Sequence, residues 1–280
     1  MARVNGQGIR AGAAVVAAAA AVAGTAWGVA ALVEPGHARQ EQENVSRPAG
    51  TGGTGGGPDD GAKGGAGSAQ QSRIPDGIAH ASESGGNAVN ITIDDGPDPQ
   101  WTPKVLAVLE KYDVKATFCM IGPQAKAHPD LVKRVSAGGH RLCDHTVDHN
   151  TAMDKKPADY QQKQILDAKK MIEDAAGGGA KVEYYRAPGG AFTPESRRTA
   201  AANGMRPLGW NVDSKDFGKP GTAVIVKTVK SEIGNGPTLL FHDGGGNRAQ
   251  TVEALDQVLA WLKDQGRPTG FPVRTAPDAS

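Results

Sequence analysis

The chain has 280 residues, room for one large domain or two small ones. Its 31 Lys and Arg balance 30 Asp and Glu for a net charge of +1, so nothing in the charge calls for nucleic acid or a strongly acidic partner. Two cysteines exclude both a disulfide framework and a four-cysteine metal site.

The chain opens with Arg3 and Arg10 ahead of an uncharged, Ala-rich run from Ala11 to Val33, ended by Glu34. A basic start followed by an apolar run is an export signal or an N-terminal membrane anchor, and both readings stay open for residues 1–36. Residues 37–84 are poor in large apolar side chains, and Thr51 to Gly67 is dominated by Gly. Such a segment cannot bury enough surface to offset its ordering entropy and reads as a disordered tether. The reading places a folded domain at 85–275, a flexible tail at 276–280, and the protein outside the cytoplasm or at the cell surface.

Order begins where Val89, Ile91 and Ile93 alternate with Asn90 and Thr92, the period of a strand. Thr102 to Tyr112 follows as a helix with an apolar stripe, Thr102 as its N-cap and Pro103 in its first turn. Ala116 to Ile121 is a strand, Pro123 to Ala137 a helix ended by Gly138 and Gly139, and Arg141 to Asp144 a short strand. A helix from Pro157 to Ala176, a strand from Val182 to Arg186 and a helix from Pro194 to Asn203 continue the pattern. Arg206 to Val212 reads as a strand, Thr222 to Ile233 as a helix and Pro237 to His242 as a strand. Arg248 to Gln265 is a helix, with a last short strand at Gly270 to Val273. Regular alternation implies parallel strands with helical crossovers, in an α/β barrel smaller than the eight-fold one; an open doubly wound sheet is the second choice. Cys119 and Cys143 both fall in strands. Two small buried hydrophobes is the simpler reading, with one bridge open if the strands are neighbours.

Function in parallel α/β domains gathers at the carboxyl ends of strands. Asp94 and Asp95 end the first strand, and adjacent carboxylates repel unless a cation neutralises one. His145 and His149 follow the third, at a spacing that puts both rings on one face of a helical or turn-like backbone. Two His and one carboxylate with an open position is the catalytic zinc pattern. Arg186 ends the fourth strand, Asp213 and Asp216 follow the fifth, and His242 ends the sixth. Polar groups at so many strand ends of one domain would each be a half-buried charge without a partner unless they meet.

Five ordered segments then show a resemblance. Ile91 through Pro97, His145 through His149, Arg186 through Gly189, Asp213 through Phe217, and Leu240 through His242 resemble the motifs of the polysaccharide deacetylases, the NodB-type enzymes of carbohydrate esterase family 4. Lys115 to Phe118 matches as well. The resemblance spans about Ala88 to Val273. It implies a distorted (β/α) barrel of about seven parallel strands and hydrolysis of N-acetyl groups on a polysaccharide such as peptidoglycan or chitin-like polymers; the catalytic domain is expected to be monomeric. An O-acetyl ester substrate of xylan type, or an inactive glycan-binding module, is the alternative. It further implies that Asp95, His145 and His149 hold Zn²⁺ or another divalent ion such as Co²⁺. Asp94 is then the base, Arg186 its orienting partner, His242 the acid and Asp216 the carboxylate beside it. Gly189, Leu240 and Phe217 would contact substrate. Phe217 stands where the family has Trp, and Gly189 and Gly190 stand where it often has an aromatic, departures that bear on the polymer bound. Tyr184, Tyr185, Phe192, Trp210 and Phe217 are open to either sugar stacking or core packing.

Overall fold

A computed structural model of the protein describes residues 74–278. The predicted export or anchor segment and most of the predicted tether lie outside the described residues. Among these, no helix is long and apolar enough to cross a membrane.

The described chain alternates strand and helix: β1 (Val89–Asp94), α1 (Thr102–Lys111), β2 (Thr117–Met120), α2 (Gly122–Ala127), α3 (Pro129–Ala137), β3 (Arg141–Asp144), α4 (Ala158–Ala176), β4 (Val182–Tyr185), α5 (Pro194–Ala202), β5 (Arg206–Pro207), β6 (Val212–Asp213), α6 (Thr222–Glu232), β7 (Thr238–His242), α7 (Ala249–Asp264) and β8 (Thr269–Gly270). The strands run parallel in the order β5-β4-β3-β2-β1-β7-β6, with β8 added to the start of β1. This is the expected NodB-like distorted barrel, a curled sheet rather than an open doubly wound one.

Two elements differ from expectation for identifiable reasons. The helix expected over 123–137 breaks at His128, because Pro129 has no N–H to donate and forces the residue before it out of helical geometry. The strand expected over 206–212 is two short strands on opposite edges of the sheet. Tyr184 and Tyr185 pair with Arg206 and Pro207, while Val212 and Asp213 pair with Leu239 and Leu240. One extended segment therefore serves both edges and curls the sheet toward closure. Residues 74–84, expected in the tether, belong to the fold: Ala79 bridges Leu208 and Ser82 bridges Pro272 beside this junction. The expected tail is tied down in part, since Asp278 Oδ1 accepts from the backbone N–H groups of His80 and Ala81 at 3.0 and 2.7 Å.

Every residue of β1 is buried, so its alternation separates two buried faces rather than core from solvent. Val89, Ile91 and Ile93 face the helices and join the main core with Val105, Leu109, Phe241 and Leu255. Asn90, Thr92 and Asp94 take the other face, inside the barrel. There Asn90 Nδ2 donates to Thr238 Oγ1 at 2.9 Å and Thr92 Oγ1 donates to the Leu239 carbonyl at 2.6 Å, which satisfies groups that would otherwise be costly to bury. A small second cluster of Cys119, Cys143, Tyr184 and Leu208 packs apart from the main core. Cys119 and Cys143 sit directly opposite each other on β2 and β3 with Cα atoms 4.1 Å apart, and they are bonded as a disulfide. The simpler reading as free buried hydrophobes is thereby corrected.

Candidate active site

The carboxyl ends of β1, β3, β4 and β7 converge on one pocket of about 360 Å³. A larger concavity of about 450 Å³ beside α4 is lined by Lys126, Asp167, Lys170, Met171 and Asp174 and has no comparable convergence of groups.

Asp94 is the last residue of β1, and Asp95 follows in left-handed backbone at φ 78°, with an oxygen of each carboxylate 3.6 Å from His145 Nε2. The turn continues through Gly96, where a Cβ would lie 2.2 Å from Asp243 Oδ1, so only glycine fits. Thr102 does not cap α1 as expected. Asp98 Oδ1 instead accepts from the Gln100 and Trp101 N–H groups ahead of the helix. Thr102 Oγ1 accepts from Asp98 N and donates to Asp243 Oδ2 at 2.6 Å. Burial pushes the Asp243 carboxyl up to about 7.

His145 and His149 meet across a loop rather than on a helical face. Thr146 and His149 adopt left-handed backbone, φ 69° and 53°, and fold the loop back until the ring centroids are 4.9 Å apart. Gln164 of α4 holds the loop, its Oε1 accepting from Val147 N and Asp148 N at 3.0 Å each. Backbone in this region is unfavourable for non-glycine residues and persists where surrounding contacts impose it.

Asp95, His145 and His149 place one ligand atom each within 4.8 Å of one another. Asp95 Oδ1 lies 3.1 Å from His149 Nε2 and 3.6 Å from His145 Nε2. Donor atoms roughly 2.1 Å from a tetrahedral ion stand about 3.4 Å apart. Although the 3.1 Å contact is within hydrogen-bonding distance, Asp95 Oδ1 is buried without a hydrogen-bond partner. That combination marks lone pairs facing a shared point. His145 Nδ1 lies 2.8 Å from the Arg186 carbonyl, which can only accept, so the proton is on Nδ1 and Nε2 carries the free lone pair. Burial holds the His145 pKa down despite Asp94 and Asp95, which favours that neutral ring. Burial opposes the charge of Asp95 too, but His149, His145 and His242 around it hold its pKa well below the usual range. His149, beside Asp95, is raised. The donor set and spacing fit a small divalent ion.

On one side of these three residues stands Asp94, only 2% exposed, with its Oδ1 2.6 Å from Arg186 Nη1. Arg186 is wholly buried. It donates also to Thr92 Oγ1 at 2.9 Å, to the Leu208 carbonyl at 3.2 Å and to the Gly209 carbonyl at 2.8 Å. On another side stands His242. Its Nδ1 is 2.7 Å from Asp216 Oδ1, and its backbone N–H donates to Asp216 Oδ2 at 2.9 Å. Burial alone would lower the His242 pKa, but Asp216, then Asp94 and Asp95, raise it to about 9. Asp216 is lowered in spite of its burial, because His242 and Thr251 bond to it. Nδ1 is engaged by Asp216, so Nε2 is the ring nitrogen left to act in the pocket.

Gly189, Leu240 and Phe217 line the pocket, and Asp213, Thr151 and Trp210 join them. Gly189 has left-handed backbone at φ 60°, and a Cβ on Gly190 would touch the Trp210 ring at 3.1 Å. The chain's glycines at this turn thus make room for an indole from the β5–β6 junction. Of the five aromatics singled out, only Trp210 and Phe217 reach the pocket. Tyr184 and Tyr185 are fully buried, and Phe192 packs edge-on against Tyr185 at 5.7 Å. Sequence reasoning missed Thr92, Gln164, Ser214 and Thr251. The only signal for Thr92 was a hydroxyl on the polar face of a strand whose two faces both proved buried.

Comparison with known proteins points to one family. The polysaccharide deacetylase family matches residues 81–208. A peptidoglycan-N-acetylglucosamine deacetylase of Bacillus cereus is 38% identical over 180 residues, 64% of this chain and 83% of that protein. A chitooligosaccharide deacetylase of Sinorhizobium fredii is 35% identical over 206 residues, 70% of this chain and 93% of that protein. A crystal structure of a peptidoglycan N-acetylglucosamine deacetylase in complex with a substituted benzamide aligns with a TM-score of 0.64 at 29% identity, covering 69% of this chain and 90% of that one. With the ordered motifs, the parallel barrel and these relatives in agreement, the chain belongs to the polysaccharide deacetylases, the NodB-type hydrolases of carbohydrate esterase family 4.

Proposed function

We propose that this protein is a divalent-metal-dependent N-deacetylase of N-acetylglucosamine polymers, with peptidoglycan the first candidate and chitin-like oligomers the second. The observation that carries the reading is the pairing of opposite roles around one three-ligand cluster. A carboxylate held by a buried Arg stands beside it, as does an imidazole held by a buried Asp.

Asp95, His145 and His149 would hold the ion, zinc or another divalent metal such as cobalt. When bound, the ion supplies Lewis acidity toward an acyl oxygen and toward water. Asp94 Oδ2, the oxygen Arg186 does not engage directly, accepts the proton of the attacking water. Arg186 keeps that carboxylate aimed through its side chain and fixes the His145 tautomer through its carbonyl. Gly189 N–H and the pocket wall of Leu240, Trp210 and Phe217 receive the acetyl group as its carbonyl oxygen gains charge. His242, a cation at neutral pH because Asp216 stabilises it, gives the Nε2 proton to the departing nitrogen. An amine leaves badly unless protonated, so a strongly paired imidazolium suits an amide. The C–N bond breaks, and acetate and a free amino sugar result.

The protein acts outside the cytoplasm in this reading. A buried disulfide between adjacent strands is a feature of oxidising compartments, and the basic and apolar N-terminal run reads as an export segment. The reaction is tested by acetate release from N-acetylglucosamine oligomers and peptidoglycan against acetylated xylan, with and without chelator. Release from the amino sugars that stops with chelator and returns with Zn²⁺ supports the proposal. Release from xylan alone points to ester hydrolysis, and no release from any of them refutes it.

A further inference from the structure

We propose that Thr251 and Arg248, at the start of α7, are positioning residues for the His242 proton donor, acting through Asp216. The inference rests on the acid role given to His242 above. Neither residue lies in any of the five motifs.

Asp216 is 1% exposed, and its carboxylate is bonded on every side. Oδ1 meets His242 Nδ1 at 2.7 Å and accepts from Ser214 Oγ at 2.9 Å. Oδ2 accepts from His242 N at 2.9 Å and from Thr251 Oγ1 at 2.8 Å. A carboxylate without such donors is free to turn away from the ring, and a misdirected carboxylate stabilises an imidazolium less. Thr251 is the third residue of α7, so it also sets the carboxylate against the positive end of a 16-residue helix.

Arg248 is 3% exposed, and among the described residues no carboxylate lies within 4.0 Å of its guanidinium. A buried cation ordinarily has an anionic partner. This one bonds three carbonyls instead: Gly244 at 2.5 Å, Asp216 at 3.2 Å and Gly245 at 3.5 Å. Two of those belong to the loop just after His242 and one to Asp216 itself. A single side chain therefore ties the backbone of the acid's partner to the backbone that follows the acid. The charged groups facing His242 are Asp216 from the turn after β6, Asp94 and Asp95 from the end of β1, and His149 from the loop after β3. Of these only Asp216 bonds the ring, so its anchoring sets how firmly His242 keeps its proton.

The test compares zinc-loaded wild type with Thr251→Val, which keeps the shape and removes the hydroxyl, and with Thr251→Ser, which restores it. The His242 imidazole is followed against pH by ¹⁵N NMR, and kcat and KM for an N-acetylglucosamine pentamer are measured over the same range. Thr251→Val is expected to lower the imidazole midpoint by about one pH unit, the scale of one lost bond to a charged group. The alkaline limb of kcat should move with it, KM should stay unchanged, and Thr251→Ser should recover both. An unchanged midpoint in Thr251→Val, or a Ser variant as shifted as Val, overturns the proposal. If Thr251→Val does not fold, Arg248→Lys reads the same midpoint, and no change there overturns it equally. The imidazole titration is independent of turnover, so a wild type that releases no acetate would refute the reaction without touching this result.

Discussion

Replacing Arg186 with Met removes the cation hydrogen-bonded to Asp94, and the structure sets the cost. The side chain is fully buried, Asp94 is 2% exposed, and four acceptors lose their donor at once: Asp94 Oδ1, Thr92 Oγ1 and the carbonyls of Leu208 and Gly209. Met occupies most of the same aliphatic volume, so the cavity contribution stays small. What remains is an unpaired buried carboxylate, for which breaking one partner costs about 3–5 kcal/mol. In a folded domain of this size that lowers Tm by about 6–20 °C. The assay is urea unfolding at pH 7 in chelator, so that metal binding does not mask the change. Arg186→Lys should also destabilise, because an ammonium cannot span the fork of acceptors. The decisive comparison is the double variant Asp94→Asn with Arg186→Met. If the penalty is a stranded charge, removing that charge restores part of the stability, and the double variant is more stable than Arg186→Met alone. A single variant within about 1 kcal/mol of wild type, or two changes that simply add, would refute the reasoning.

Other consequences are as direct. Asp94→Asn should keep its metal while kcat drops by about 10²–10⁴-fold, the usual worth of a general base, as measured by acetate release. Asp95→Ala and His149→Ala should lose zinc and turnover together, whereas wild type should bind one zinc per chain by calorimetry. The His242 pKa is raised from 6.5 to about 9. Its contribution to stability is therefore complete below pH 6.5 and lost as pH rises through 9, on the order of 3 kcal/mol. Urea unfolding of wild type against Asp216→Asn at pH 6, 8 and 10 should show the two converging at the alkaline end. Changing Cys119 and Cys143 to Ala opens a bridge across 24 residues and should cost roughly 3 kcal/mol in the same assay, with no further loss when reductant is added.

Strand and helix periodicity, the order of the polar strand ends and the residues that meet in the pocket were all legible in the chain. Backbone propensity and side-chain patterning are local, and Asp94, Asp95, His145, His149, Arg186, Asp216 and His242 each stand at or just beyond a strand end whatever the rest of the chain does. Tertiary structure alone decided the remainder, because it depends on which distant segments meet. The extended run 206–212 looks like one strand until β4 claims its start and β7 its end. Cys119 and Cys143 look like spare hydrophobes until β2 and β3 align in register. Thr92, Gln164 and Thr251 carry no local mark of function. Each gains its role when a charged or loop group from elsewhere in the chain is buried against it and needs a hydrogen bond that water can no longer provide.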